Sequence, residues 1–138
     1  MLAEHFGVDR RSVLATNGSD EILNYAFMAF CDEENPAIFP DITYGFYQVF
    51  AQVNRIPYRQ IPLKEDLSVD ISDYMKNEAT VFLANPNANT GIALALEDIE
   101  KILKANPDHV VVVDEAYVDF GAKSAVKLVD RYDNLLVT

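Results

Sequence analysis

The sequence is poor in cysteine, in basic residues and in long apolar runs, and each scarcity excludes a class of protein. A single cysteine, Cys31, cannot form a disulfide within the chain, which argues against a disulfide-stapled secreted scaffold. Eleven Lys and Arg residues face 22 Asp and Glu residues, and the formal net charge of −11 repels nucleic acids and anionic lipid surfaces. No apolar run approaches the roughly 20 residues of a membrane-spanning helix. We therefore expect a protein of the reducing cytoplasm that binds neither nucleic acid nor membrane.

Two further absences concern targeting and metals. The first residues, Met1 to His5, lack the basic stretch and apolar core of a signal peptide. The two histidines, His5 and His109, have no partner at a spacing typical of metal ligands. The sequence therefore predicts neither a secretory leader nor a metal site.

Half of the 138 residues are hydrophobic, which is enough to build the core of one domain. Short apolar runs that suit buried strands alternate with segments whose apolar residues recur at helical spacing. The predicted strands cover residues 13–16, 37–39, 56–63, 80–84, 109–113 and 134–137, and the predicted helices start near residues 19, 43 and 96. In the second helix, Phe46, Val49, Phe50 and Val53 share one face, a pattern typical of a helix that packs on a core.

Strands that are apolar throughout and separated by helices predict an α/β fold with three layers, α/β/α, around a mostly parallel sheet. In such sheets, ligands bind at the carboxyl ends of the strands. Three polar clusters follow predicted strands: NGSDE from Asn17, NPNANTG from Asn85 and DEAY from Asp114. The sequence therefore predicts that these clusters meet along one edge of the sheet.

Each cluster has a structural and a functional interpretation. NGSDE can be a turn with a helix cap, or an anion site in which the amides of Gly18, Ser19 and Asp20 point outward from a helix start. NPNANTG can be a loop of turn-forming residues, or a segment that aims an amide side chain at a ligand oxygen. Asp114 is different, because a carboxylate at the end of a buried strand loses hydration and needs a partner or a chemical role.

The run VVVVDE is also typical of P-loop ATPases, in which the aspartate binds the magnesium ion. That interpretation requires a glycine-rich loop that ends in Gly-Lys. No Gly-Lys pair occurs in the sequence. We therefore reject a P-loop nucleotide site.

Taken in order, NGSDE, PDITYGFY, NPNANTG and VVVVDEAYVDFG resemble the pattern of the class I/II pyridoxal-phosphate aminotransferases of fold type I. The resemblance is strongest to the histidinol-phosphate aminotransferase branch, and it implies pyridoxal 5′-phosphate as the cofactor. It also implies a role for each matching residue: the amides of Gly18, Ser19 and Asp20 on the phosphate, Tyr44 stacked on the pyridine, Asp114 on the pyridine nitrogen and Tyr117 on the phenolic oxygen. Asp114 would keep the ring nitrogen protonated, which makes the cofactor a better electron sink.

The sequence departs from this family pattern in two places. Ala88 stands where the family has the asparagine that contacts the phenolic oxygen, so either Asn87 or Asn89 reaches this oxygen, or Tyr117 holds it alone; we favour Asn87. The Schiff-base lysine is expected beyond Thr138, so no catalytic residue is assigned within the chain. The resemblance implies that residues 1–138 are part of the large domain of a longer enzyme, without the small domain and the amino-terminal arm.

The resemblance implies a small amino-acid or amino-phosphate substrate and a 2-oxo acid, here histidinol phosphate and 2-oxoglutarate. Other class I/II aminotransferases, a threonine-phosphate decarboxylase, a non-catalytic binding or assembly domain and an acidic phosphate-binding module remain as alternatives. Because unpaired sheet edges would be exposed, we expect a homodimer or other self-association, or marginal stability. We expect no aminotransferase turnover by this chain alone. Glu115 is interpreted as a structural hydrogen-bonding residue, and Tyr25, Tyr47 and Tyr58 as packing residues.

Overall fold

Five parallel strands form one sheet in the computed structural model, which describes residues 1–138. The strands are β1 (Ala37–Pro40), β2 (Tyr58–Ile61), β3 (Thr80–Ala84), β4 (Val111–Asp114) and β5 (Leu135–Val137). The α-helices are α1 (Leu2–Phe6), α2 (Ser19–Phe30), α3 (Phe46–Val53) and α4 (Leu96–Ala105), and 3-10 turns cover Arg10–Ser12, Ile71–Tyr74, Val118–Phe120 and Ala125–Arg131. The order of the strands across the sheet is β2-β1-β3-β4-β5, and every neighbouring pair is parallel.

The sheet has a hydrophobic core on each face, because successive side chains of a strand point to opposite sides. Val81 and Leu83 of β3 belong to the core under α4, whereas Phe82 belongs to the core under α2 and α3. Residues of β4 divide in the same way, with Val112 on the α2 and α3 side. Helices thus cover both faces of a parallel sheet, which confirms the predicted three-layer α/β/α fold.

Helix α2 packs on the sheet through residues spaced three and four apart. Leu23, Ala26 and Phe27 are fully or almost fully buried, and the ring of Phe27 stacks on Phe82 with centroids 4.0 Å apart. The amino-terminal end of α2 lies at the same edge of the sheet as the carboxyl end of β1, because Asp20 accepts a hydrogen bond from Tyr44 in the segment that follows this strand. None of the helices has the length and apolar character that crossing a bilayer requires.

Two predictions about local structure were wrong. Residues 13–16 form no strand; they follow the Arg10–Ser12 turn, and Leu14 is largely exposed. An apolar run becomes a strand only when a neighbouring strand is available for backbone pairing, and this segment pairs with no strand of the sheet.

The face of α3 that packs on the core was also predicted wrongly, except for Phe50, which is half-buried and packs against the core beside Phe27. Tyr47 and Ala51 are fully buried, whereas Phe46, Val49 and Val53 are exposed. Residues 47 and 51 are also one helical turn apart, so helical spacing alone fits either face. Tyr47 faces inward because its ring packs between Phe39 and Phe82 and its hydroxyl finds a partner on β4.

Candidate functional site

The three predicted polar clusters lie at one edge of the sheet, and hydrogen bonds join them. The backbone N–H of Asn85 donates to the backbone carbonyl oxygen of Asp114 over 2.7 Å, which holds the ends of β3 and β4 together. Asn87 Nδ2 donates to the Ile42 carbonyl oxygen over 2.8 Å and so connects the β3 loop to the segment that leads into α3. Tyr44, in that segment, donates to Asp20 at the start of α2. The predicted meeting of the clusters is therefore observed.

The start of α2 presents backbone amides that have no acceptor in the chain. Gly18 precedes the helix with φ 83° and ψ 175°, and the amides of Gly18, Ser19 and Asp20 donate no hydrogen bond. The Asn17 amide, by contrast, donates to Glu21 Oε2 over 2.7 Å. Three free amides at the positive end of a helix dipole are suited to bind the oxygens of a phosphate group.

The three free amides of Gly18, Ser19 and Asp20 are called the phosphate cradle below, and the backbone conformation of Gly18 within it can be tested by substitution. Its dihedral angles lie in a region that is essentially restricted to glycine, so we expect Gly18→Ala to lower the free energy of unfolding by about 1 to 3 kcal/mol. Gly45→Ala is the matched control, because Gly45 has α-helical angles and open space around its Cα, and we expect no destabilisation there. Urea unfolding of both variants measures the difference, and equal midpoints would contradict the assigned backbone strain.

Tyr44 is held beside the cradle by its hydroxyl group. The hydroxyl donates to Asp20 Oδ1 over 2.8 Å, so the carboxylate at this helix start is engaged by a side chain while the Asp20 amide stays free. Desolvation and then the Asp20 carboxylate raise the pKa of Tyr44 to about 12, so the phenol remains protonated at neutral pH. Asp114 and Tyr117 raise the same pKa further, by smaller electrostatic effects.

Asp114 ends β4 as a buried carboxylate without a cation. Its residue is 4% exposed, its Oδ2 accepts from the Tyr47 hydroxyl over 2.7 Å, and its Oδ1 accepts from the Ala116 amide over 3.1 Å. Both donors are neutral, and no Lys, Arg or His forms an ion pair with it. A buried carboxylate is costly unless a cation or several hydrogen bonds compensate it, so the arrangement suits a cationic ligand group.

Tyr47 is the residue that sequence reasoning missed, because it was assigned to packing alone. Burial, and then the neighbouring Asp114 carboxylate, raise the pKa of Tyr47 well above its usual value, so the hydroxyl is a permanent donor. The available signal was its position three residues after Tyr44, close to one helical turn away. The two rings contact each other edge-on, with centroids 5.8 Å apart.

The two remaining residues of the DEAY segment differ in their surroundings. Glu115 is buried and its Oε1 accepts from the Ala125 amide over 2.5 Å, which agrees with its interpretation as a structural residue. Burial raises the pKa of Glu115. Tyr117 is 48% exposed, the centroid of its ring lies 6.0 Å from that of Phe120, and its hydroxyl forms no hydrogen bond with the other predicted site residues.

Asn87 is buried, and both ends of its side-chain amide have partners. Its Oδ1 accepts from the amides of Asn89 and Thr90, and its Nδ2 donates to Ile42. An amide nitrogen carries two hydrogens, so one of them remains for a ligand oxygen. Ala88 contributes no polar side chain at the neighbouring position.

Comparison with known proteins identifies the class to which this fold and site belong. The aminotransferase class I and II family matches residues 1–138, and the chain belongs to that family. Histidinol-phosphate aminotransferase 2 of Gluconobacter oxydans is 52% identical over 136 residues, which are 99% of this chain and 38% of that protein. The chain thus spans less than half the length of this curated relative.

Two solved structures share the fold. The L-threonine-O-3-phosphate decarboxylase of Porphyromonas gingivalis superposes with a TM-score of 0.79 at 25% identity, over 99% of this chain and 43% of that one. The histidinol-phosphate aminotransferase of Clostridium acetobutylicum superposes with a TM-score of 0.82 at 21% identity, over 99% and 42%. The second likeness is evidence for the fold alone.

Proposed function

We propose that residues 1–138 are part of the large domain of a pyridoxal-phosphate aminotransferase and bind that cofactor at the polar edge of the sheet. The observation that carries this proposal is Asp114, a buried carboxylate at the end of β4 with two neutral donors and no cation. Asp114 would pair with a protonated pyridine nitrogen, which would bring the missing positive charge. Membership of the class I and II family supports the same cofactor.

The residues present fit the chemical groups of this cofactor. The free amides of Gly18, Ser19 and Asp20 suit its phosphate, and the fixed ring of Tyr44 suits its aromatic face. The hydroxyl of the half-exposed Tyr117 and the remaining N–H of Asn87 suit its phenolic oxygen. The ring nitrogen, the phenolic oxygen and the phosphate of the cofactor thus each have a proposed partner within this chain.

Pyridoxal phosphate supplies an electron sink that accepts charge from the alpha carbon of an amino-acid substrate. The contribution of this chain is to bind and orient the ring: Asp114 keeps a proton at the ring nitrogen, and the low-dielectric end of β4 strengthens that pairing. The lysine that forms the Schiff base is proposed to follow β5 in the longer protein. We therefore expect no turnover by this chain alone.

The proposed substrates of the longer protein are histidinol phosphate and 2-oxoglutarate, which would place it in histidine biosynthesis in the cytoplasm. The histidinol-phosphate aminotransferase relative at 52% identity supports this choice. The likeness to a threonine-phosphate decarboxylase keeps that reaction as the second candidate. We also propose a homodimer or other self-association, which a clean monomer by light scattering at micromolar concentration would contradict.

Binding can be tested without the lysine, because pyridoxamine 5′-phosphate carries an amine in place of the aldehyde. We expect calorimetry to show binding of this ligand to the chain, with weaker binding of pyridoxamine, which lacks the phosphate. Equal affinity for the two would contradict the phosphate cradle. For the longer protein, turnover of histidinol phosphate with 2-oxoglutarate supports the proposed substrates, whereas decarboxylation of threonine phosphate alone supports the second candidate.

A further inference from the structure

The Asp114 carboxylate accepts one hydrogen bond from the Tyr47 hydroxyl and one from the backbone amide of Ala116. Resting on the proposed function, we infer that Tyr47 is a positioning residue that orients Asp114 for its pairing with the pyridine nitrogen. Tyr47 is proposed to act through Asp114, without contacting the cofactor itself. Three features of the structure support this role.

First, the hydroxyl of Tyr47 cannot easily leave Asp114. Tyr47 is fully buried, and its ring contacts those of Phe39, Tyr44 and Phe82, with centroids between 5.7 and 5.9 Å apart. A side chain that is packed on several sides keeps one rotamer. The donor at the end of this ring is therefore fixed relative to the sheet.

Second, Asp114 is held by donors from two different elements. Oδ2 accepts from Tyr47 of α3, and Oδ1 accepts from the Ala116 amide just after β4. These two bonds restrict rotation of the carboxylate, and each oxygen retains a lone pair for a further donor. Without Tyr47 only the local bond to Ala116 would remain, and the carboxylate would be less restricted in its orientation.

Third, the fold tolerates a buried phenol that makes no hydrogen bond. Tyr74 is as deeply buried as Tyr47, but it lies in the core on the opposite face of the sheet and its hydroxyl has no partner. Burial of a tyrosine therefore does not by itself explain why the Tyr47 hydroxyl donates a hydrogen bond to Asp114. Tyr74→Phe removes the same oxygen from an equivalent depth and provides a matched control for Tyr47→Phe.

The test compares two ligands that differ at the ring nitrogen. One is pyridoxamine 5′-phosphate, and the other is its 1-deaza analogue, in which a C–H group replaces the nitrogen. The ratio of their dissociation constants reports the Asp114 pairing and is insensitive to a general loss of binding. We expect the wild-type chain to prefer the nitrogen ligand, Tyr47→Phe to lose about tenfold of that preference, and Tyr74→Phe to retain it.

A Tyr47→Phe variant that keeps the full preference, or that weakens both ligands equally, overturns the inference and assigns Tyr47 a purely structural role. A wild-type chain without any preference contradicts the proposed function itself, and with it the inference, so the two failures are distinguished. If Tyr47→Phe does not fold, the same titrations decide on a chain with p-aminophenylalanine at position 47, because its amino group places an N–H donor where the hydroxyl of Tyr47 lies. Retained preference in that variant supports the inference, and loss of preference with intact phosphate binding overturns it.

Discussion

Asp114→Asn is expected to weaken the binding of pyridoxamine 5′-phosphate by at least about a hundredfold. The substitution keeps the shape of the side chain and an acceptor for the Tyr47 hydroxyl, but it removes the negative charge that is proposed to pair with the pyridinium. Removing one partner of a buried ion pair costs several kcal/mol, because the remaining charge is left without compensation. Isothermal titration calorimetry of the wild-type and variant chains measures the change.

The matched control for this substitution is Asp119→Asn. Asp119 follows in the same loop but is exposed to solvent, so removing its charge should leave the affinity almost unchanged. We expect both variants to fold, which circular dichroism can check. An Asp114→Asn chain that binds the ligand as tightly as the wild-type chain would show that Asp114 does not pair with the ring nitrogen.

Phe82→Ala is expected to lower the free energy of unfolding by about 3 to 5 kcal/mol. Phe82 is fully buried in β3, its ring stacks on Phe27 of α2 at 4.0 Å, and it also contacts Tyr47 of α3. Truncation leaves a cavity where both helices meet the sheet. Since domains of this size have a free energy of unfolding of only about 5 to 15 kcal/mol, this substitution is expected to remove a large fraction of it.

Urea unfolding measures this effect, with Phe120→Ala as the control. Phe120 is 83% exposed, and its truncation should change the unfolding midpoint little. We also expect Phe82→Ala to weaken ligand binding, because α2 carries the amides that are proposed to bind the phosphate and α3 carries Tyr47. Similar midpoints for the two variants would contradict the central position of Phe82 in this core.

The sheet could be predicted from the sequence where strands are buried on both faces. Residues 80–84 and the valines before Asp114 are short, uninterrupted apolar runs, and both form central strands. Residues 13–16 have a similar composition but form no strand, because pairing depends on a neighbour that composition cannot reveal. The face of α3 was missed for a related reason, since two sets of residues fit the same helical period.

The polar edge could be predicted because its clusters follow strands, and parallel strands bring their carboxyl ends together. The order of the clusters also indicated the family, which the match over residues 1–138 confirms. The role of Tyr47 could not be predicted from local sequence, because its partner Asp114 lies 67 residues away. A hydrogen bond over such a separation follows from how α3 packs on the sheet. The roles of the individual site residues toward the cofactor remain predictions.

The most direct test of a cofactor site at this edge is nuclear magnetic resonance of the isotope-labelled chain titrated with pyridoxamine 5′-phosphate. We expect the largest shifts in the amides of Gly18, Ser19 and Asp20 and in the side chains of Tyr44 and Asp114, five groups contributed by three separate segments of the chain. A single saturating transition at all of them would show that one ligand occupies this edge. Shifts confined to the opposite end of the sheet, or none at all, would contradict the proposed site.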